Sequence, residues 1–180
     1  MNVNTIAAAP QAAATGNILA ESAFCIAPAN TVRTVVALPS TIGNNAIEGR
    51  EMVLRASILI TGGTTTNYTP SIRFQSGGQT DLTTFTNDVA IIVPTAFAVN
   101  SVTRLWACTA KLWWDSSSAR LNGNFSASID TTYTAAATLT AGLSANVANA
   151  SAIKFFICGF FSATNANNTA VLKQLEIDLL

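Results

Sequence analysis

Apolar side chains recur at every second position along much of this chain, and that period decides what it can fold into. Met52, Leu54, Ala56, Ile58 and Ile60 fall on one face of an extended segment, with Glu51, Arg55 and Ser57 on the other. A helix would scatter these residues around its axis, whereas a strand sends successive side chains to opposite faces. The pattern returns in Val102, Trp106, Cys108, Ala110, Leu112 and Trp114, which alternate with Thr103, Thr109 and Lys111; Leu105 and Trp113 break the polar face. "WDSSSARLNG" then connects to Leu121, Gly123, Phe125, Ala127 and Ile129, alternating with Asn122, Asn124, Ser126 and Ser128. Two such runs joined by a short polar segment read as a hairpin.

Further strands follow the same logic. Ser71 to Gln75 places Ile72 and Phe74 on one face, and "DVAIIV" ends at Pro94. "AIKFFICGFFSA" is apolar on both faces apart from Lys154, as expected of a central strand covered on two sides. Near the C-terminus, Val171, Leu175, Ile177 and Leu179 alternate with Gln174, Glu176 and Asp178. Between these runs lie turns of Thr, Ser, Asn and Gly. In "TGGTTTNYTP", Gly62 and Gly63 are expected to supply positive φ, and Pro70 to restart an extended segment. Helical spacing is scarce, and the threonines and glycine of residues 135–150 favour a loop with a short strand. Roughly eight to ten strands at steady spacing imply an all-β fold, an antiparallel β-sandwich of jelly-roll type, over residues 21–180. Residues 1–20 carry no charge and are interrupted by Pro10 and Gly16. They read either as an extended N-terminal arm, able to reach on the order of 60 Å across a neighbouring subunit, or as a loose tail.

Composition narrows the function. The 180 residues suffice for one sizeable core, and only 10 % are charged, with nine basic and nine acidic side chains, against about 25 % charged residues in an average domain. A balanced, weakly charged surface steers the chain toward neither nucleic acid nor an anionic membrane. It is poorly soluble when bare, so much of it is expected to lie under other subunits. The longest apolar run, Phe155 to Phe161, is far shorter than the roughly 20 residues of a membrane span. The first residues lack the basic and leucine-rich parts of a signal peptide, so export by that route is not expected.

The absence of histidine removes Ser-His-Asp and Cys-His nucleophile pairs and the common zinc sets. "TGGTTT" lacks the lysine and helix of a phosphate cradle. The acids sit mostly beside turns or on outer strand faces, and Asp115 with the serines after it is a weak calcium ligand set. Cys25, Cys108 and Cys158 lie in apolar surroundings, as buried hydrophobes would. Neither an enzyme, a cofactor nor a metal is expected. Adjacent Trp113 and Trp114 must face opposite ways, so Trp114 is expected inside with Trp106, and Trp113 against a second subunit or under a loop.

"LRASILITGGTTTNYTPSIRFQSG", with "NDVAIIVPTAFAVNSVTRLWACTAKLWWDSSSARLNGNFSASI" after it, resembles a group of tailed-bacteriophage virion proteins. Those pair a strand carrying "R(A/S)SG.ITTGGTTT" with "TPSI.FG" and a "W(D)S.SG.L.G" hairpin. The likeness spans about residues 50–130; Ile58 and Ala119 stand where the pattern has glycine, and the first 45 residues carry none of it. It is most similar to capsid decoration, or cement, proteins. The resemblance implies a homotrimer on the capsid exterior, bound to the major capsid protein and assembled in the host cytoplasm, with many weak contacts multiplied by symmetry. Interface residues on this reading are Val3, Ile6 and Pro10 of the arm, Thr64, Thr65, Asn67 and Tyr68 of the loop, and Trp113 on a lateral face. The alternatives are a receptor-binding or fibre-tip jelly roll that grips host polysaccharide, and a tail or baseplate component.

Overall fold

A computed structural model describes residues 4–7, 14–15, 22–24, 35–37, 50–75, 88–92, 95–115, 117, 120–130, 132–142 and 154–180. All of its regular structure among these residues is β. The strands are β1 (Asn4–Ala7), β2 (Ala14–Thr15), β3 (Ser22–Ala23), β4 (Val35–Ala37), β5 (Glu51–Thr61), β6 (Asn67–Gln75), β7 (Asp88–Ile92), β8 (Phe97–Ala98), β9 (Thr103–Asp115), β10 (Arg120–Ile129), β11 (Thr132–Gly142), β12 (Lys154–Phe161) and β13 (Thr169–Leu179). One sheet runs β1-β13-β5-β9-β10-β11, with β2 also on β13; the other runs β3-β12-β6-β7, with β4 on β12 and β8 on β6. Every pairing is antiparallel.

The two sheets close on a shared core, which makes the fold a β-sandwich. The inward face of β5 supplies the five residues that its alternation marks, Met52, Leu54, Ala56, Ile58 and Ile60, all buried. Ile58 stands opposite Trp106 of β9, the largest fully buried side chain. From the second sheet come Ile72, Phe74, Phe155, Ile157 and Phe161. Phe74 and Phe155 meet edge to face at 5.3 Å between ring centroids, and Tyr68 meets Phe161 the same way at 4.9 Å, a geometry that aligns ring edges with ring faces. In β12, Phe155 to Gly159 are all buried, so this strand is covered on both faces as expected.

Three connections cross between the sheets side by side at one end. β13, β5 and β9 are neighbours in the large sheet, and β12, β6 and β8 are neighbours in the small one. The β12–β13, β5–β6 and β8–β9 links therefore form three adjacent arches, with the threonine-rich segment as the middle one. Such paired crossings between sheets give the sandwich its jelly-roll character.

Several expectations need correction. The run after Gly142 is preceded by a full strand: Thr132–Gly142 pairs with β10 along its length, because neighbouring strands outweigh the weak strand preference of alanine. In β13 a bulge between Leu172 and Gln174 shifts the alternation by one residue. Ala170 and Leu172 thereby face the core, and Val171 is only half-buried on the other side. Val102 lies before β9 and is 45 % exposed rather than inside. The described parts of the expected arm, β1 and β2, both pair with β13 of the same chain instead of leaving for a neighbour. An edge of β13 with open backbone groups is the nearest partner a neutral segment can find.

Candidate functional site

Two surfaces follow from this architecture: the crown of arches and the outer face of the large sheet. In the crown, the middle arch is stitched to both flanks. Toward β12–β13, the Gly63 amide donates to the Asn168 side-chain oxygen at 3.0 Å, and the Asn168 amide group donates to the Ala163 carbonyl at 2.7 Å. The Asn67 amide donates to the Ser162 hydroxyl and the Ser162 amide donates back to the Asn67 carbonyl, each at 2.9 Å. Toward β8–β9, Ser101 donates its amide to Gly63 at 3.2 Å and Val99 to Thr66 at 2.9 Å. The Thr64 and Ser101 hydroxyls meet at 3.2 Å.

Closeness, rather than turn conformation, explains the two glycines. Neither adopts the left-handed region; a Cβ at Gly62 would run into Val99, and one at Gly63 into Asn165. The left-handed backbone falls instead on Thr65 (φ 59°), Asn100 (φ 30°) and Ser101 (φ 61°) in the crown, and on Asp130 (φ 55°) in the β10–β11 turn beside it. For a β-branched residue such as Thr65 that conformation is strained. Neutral hydroxyls and amides fit a crowded crossing because they pair without the cost of desolvating a charge.

Beside the crown, Asp130 closes the β10–β11 turn onto the start of β9. Its carboxylate accepts from the Leu105 amide at 2.9 Å and from Arg104 at 2.8 Å. The Leu105 bond, then Arg104, hold its carboxyl below the usual carboxylate range. At the opposite end, Asp115 accepts from the amide and hydroxyl of Ser117 at 3.0 and 2.6 Å, which occupies it as a turn residue. Among the described residues no cluster of His, Cys, Asp and Glu is placed to hold a metal ion.

The outer face of the large sheet is built from the polar positions of β13, β5, β9 and β10. Arg55 of β5 bridges Glu176 at 3.3 Å and also Asp178 on β13, while Lys111 lies 3.5 Å from Glu51. Asp178 is the first cause of the raised Arg55 pKa, and the side chain stays charged throughout the accessible range. Leu105 and Trp113 interrupt this face at 40 % and 43 % exposure.

The sequence-derived interface residues separate accordingly. Thr64, Thr65 and Asn67 are exposed on the crown, within one short segment. Trp113 is exposed on the sheet face rather than under a described loop, and Trp106 is inside; the Trp114 side chain lies outside the described residues. Tyr68 is not an interface residue. It belongs to β6, is 2 % exposed, and packs between Phe97 and Phe161 with its hydroxyl over Gly159. Ile6 is also placed differently from expectation, opposite Ile177 in the β1–β13 register. Val3 and Pro10 lie outside the described residues. Sequence reasoning missed Asn168, the fully buried residue that ties two arches together; its only trace is the asparagine-rich "TNANNT".

No protein-family model matches the chain, and no curated protein matches it. Among solved structures it is similar to peanut lectin with a nine-residue peptide, at 11 % identity and a TM-score of 0.46, over 100 % of this chain and 98 % of that one. It is similar also to lectin I-B4 from Griffonia simplicifolia in its metal-free form, at 10 % identity and a TM-score of 0.46, over 100 % of both chains. A third is lectin UEA-II complexed with galactose, at 6 % identity and a TM-score of 0.47, over 99 % of this chain and 98 % of that one. These are likenesses of β-sandwich outline; the sandwich itself stands on the strand pairing above.

Proposed function

We propose that this chain is a non-catalytic structural protein of a tailed-bacteriophage virion, a decoration protein that binds the outer capsid lattice and stabilises the head. The observation that carries the reading is the outer sheet face: Trp113 and Leu105 stand exposed on it while Arg55 pairs with Glu176 and Asp178, and Lys111 with Glu51. Exposed aromatic and aliphatic side chains on a nearly balanced surface are the raw material of a protein interface. The resemblance over residues 50–130 adds the kind of assembly, with the major capsid protein as partner and a homotrimer as the unit. In that role the crown is a rigid platform, and Thr64, Thr65 and Asn67 are its contact groups.

The test is to purify particles from cells that express the chain, measure its copies per particle, and compare heads with and without it. Decoration predicts many copies spread over the lattice and heads that open at lower temperature when the chain is deleted. Deletion without effect on heads, or a chain absent from particles, refutes it.

A second reading is favoured by the crown alone. Its hydroxyls and amides are held in fixed, partly strained positions, which suits hydrogen bonding to the hydroxyls of a surface polysaccharide. A receptor-binding protein of this kind predicts few copies, at a fibre or tail tip, and glycan binding lost on substitution of Thr64 and Asn67.

A further inference from the structure

The large sheet ends in a long strand whose sequence does nothing to close its open edge. β11 pairs with β10 along one side, and among the described residues no strand pairs with it along the other. Every second residue of such a strand turns its N–H and C=O outward, and natural edges blunt that row with lysine, proline or an inward charge. Here no charged residue and no proline stands between Asp130 and Lys154. The one irregularity is a bulge that sets residues 135 and 136 against Ser126; past it, residues 137–142 run in unbroken register with residues 120–125. That regular run reads Ala-Thr-Leu-Thr-Ala-Gly, and its first five residues read the same in both directions.

We propose that β11 pairs antiparallel with β11 of a second copy, about a two-fold axis perpendicular to the sheet at Leu139, so that two large sheets become one continuous sheet. The axis sets Ala137 opposite Ala141, Thr138 opposite Thr140 and Leu139 opposite itself, each residue type against its own. Directly opposed positions share a face of the sheet. Leu139 stands opposite the buried Gly123, on the core-facing side, while Thr138 and Thr140 stand opposite Asn124 and Asn122 on the outer side. Core face therefore continues core face, and threonine meets threonine, a favoured cross-strand pair. The pairing forms about four to six main-chain hydrogen bonds from the groups that β10 leaves over. A foreign strand offers the same hydrogen bonds, but nothing in β11 selects it; a second copy brings the matching neutral sequence already in register. No charge is set against its like. Arg120, opposite Gly142, is the one charged residue on β10, and the axis holds its two images roughly 25 Å apart. Asp130 lies past the far end of β11 and is farther still from its own image. A strand pair alone is a small contact of the transient class, and a lattice multiplies it. It leaves the Trp113 face open, and in a trimer it links one trimer to the next.

The inference goes beyond the virion reading and is tested on the isolated full-length chain. Sedimentation equilibrium at rising concentration should find association in even numbers: two copies, or two trimers. A nitroxide on Thr140→Cys should broaden its spectrum as the pair forms, since the two α-carbons then stand about 8 Å apart; the unsubstituted chain is the blank. Thr138→Lys with Thr140→Lys in one chain sets lysine against lysine twice and should weaken association at least about tenfold. Thr138→Glu with Thr140→Lys sets glutamate against lysine twice and should restore it, which a variant acting only through the fold would not do. Both should keep the native circular dichroism. A monomer at every concentration or a simple trimer overturns the inference. So does association that survives the paired lysines, fails to return in the glutamate–lysine chain, or leaves the Thr140→Cys label unbroadened. A chain found on particles but monomeric in solution overturns only this inference. A paired chain absent from particles overturns only the virion reading.

Discussion

Replacing Asn168 by alanine tests whether the three arches form one rigid unit. The side chain is fully buried and makes two hydrogen bonds, one from Gly63 and one to Ala163. Alanine leaves the buried Gly63 N–H without an acceptor, which costs about 1–3 kcal/mol, and removes a further bond worth about 0.5–1.5 kcal/mol at the half-exposed Ala163 carbonyl. The expected total is about 1.5–4.5 kcal/mol. A substitution of that size at a polar residue outside the hydrophobic core occurs only where buried partners are stranded. Urea unfolding measures it as a lower midpoint at unchanged slope, and hydrogen exchange at Gly63 localises it. A loss below about 0.5 kcal/mol, the usual range for an uninvolved surface site, with Gly63 exchange unaltered, would show that the arches do not depend on this tie.

Three other outcomes are expected. Thr65→Gly relieves the left-handed strain and should raise stability by up to about 1 kcal/mol net of its lost bond to the Thr64 carbonyl, while weakening attachment to the binding partner. Asp130 is depressed in the folded state, so its contribution is present above the ordinary value of 3.8 and is lost as pH falls through the lower folded value; NMR titration should give a midpoint below 3.8, moved upward but not fully restored by Arg104→Ala. Burial pushes the Cys108 thiol up to about 12, so alkylation at pH 8 should proceed only through unfolding. Its folded-state thiol stays neutral where the unfolded one ionises, so stability should fall as pH rises above the ordinary 9.0.

Strands with a strict two-residue period were legible in the sequence. β5, β9 and β10 follow it, and most of their buried residues are the ones that the pattern marks, Val53 being an exception; β12, apolar on both faces, is buried on both. The misreadings have physical causes. A bulge in β13 leaves no compositional signature, yet it turns Val171 away from the core that Leu175 enters. Tyr68 follows five turn-like residues, and its strand is defined by pairing with Phe161 and Phe97, residues far along the chain. β11 is rich in alanine and owes its extension to β10. The crown was legible only as composition. That Thr64 needs Ser101 and Gly63 needs Asn168 depends on three arches lying side by side, a property of topology rather than of any local segment. Trp113 was the exception: two adjacent tryptophans on one strand cannot share a face, and Trp113 is the exposed one beside a buried Trp106.

The most direct measurement is imaging of purified virions at a resolution that identifies this sandwich. The account places it in many symmetry-related copies over the outer head surface, with the Trp113 face covered. A sandwich found in a few copies at a tail tip, with Trp113 bare to solvent, or not found in the virion at all, would contradict it.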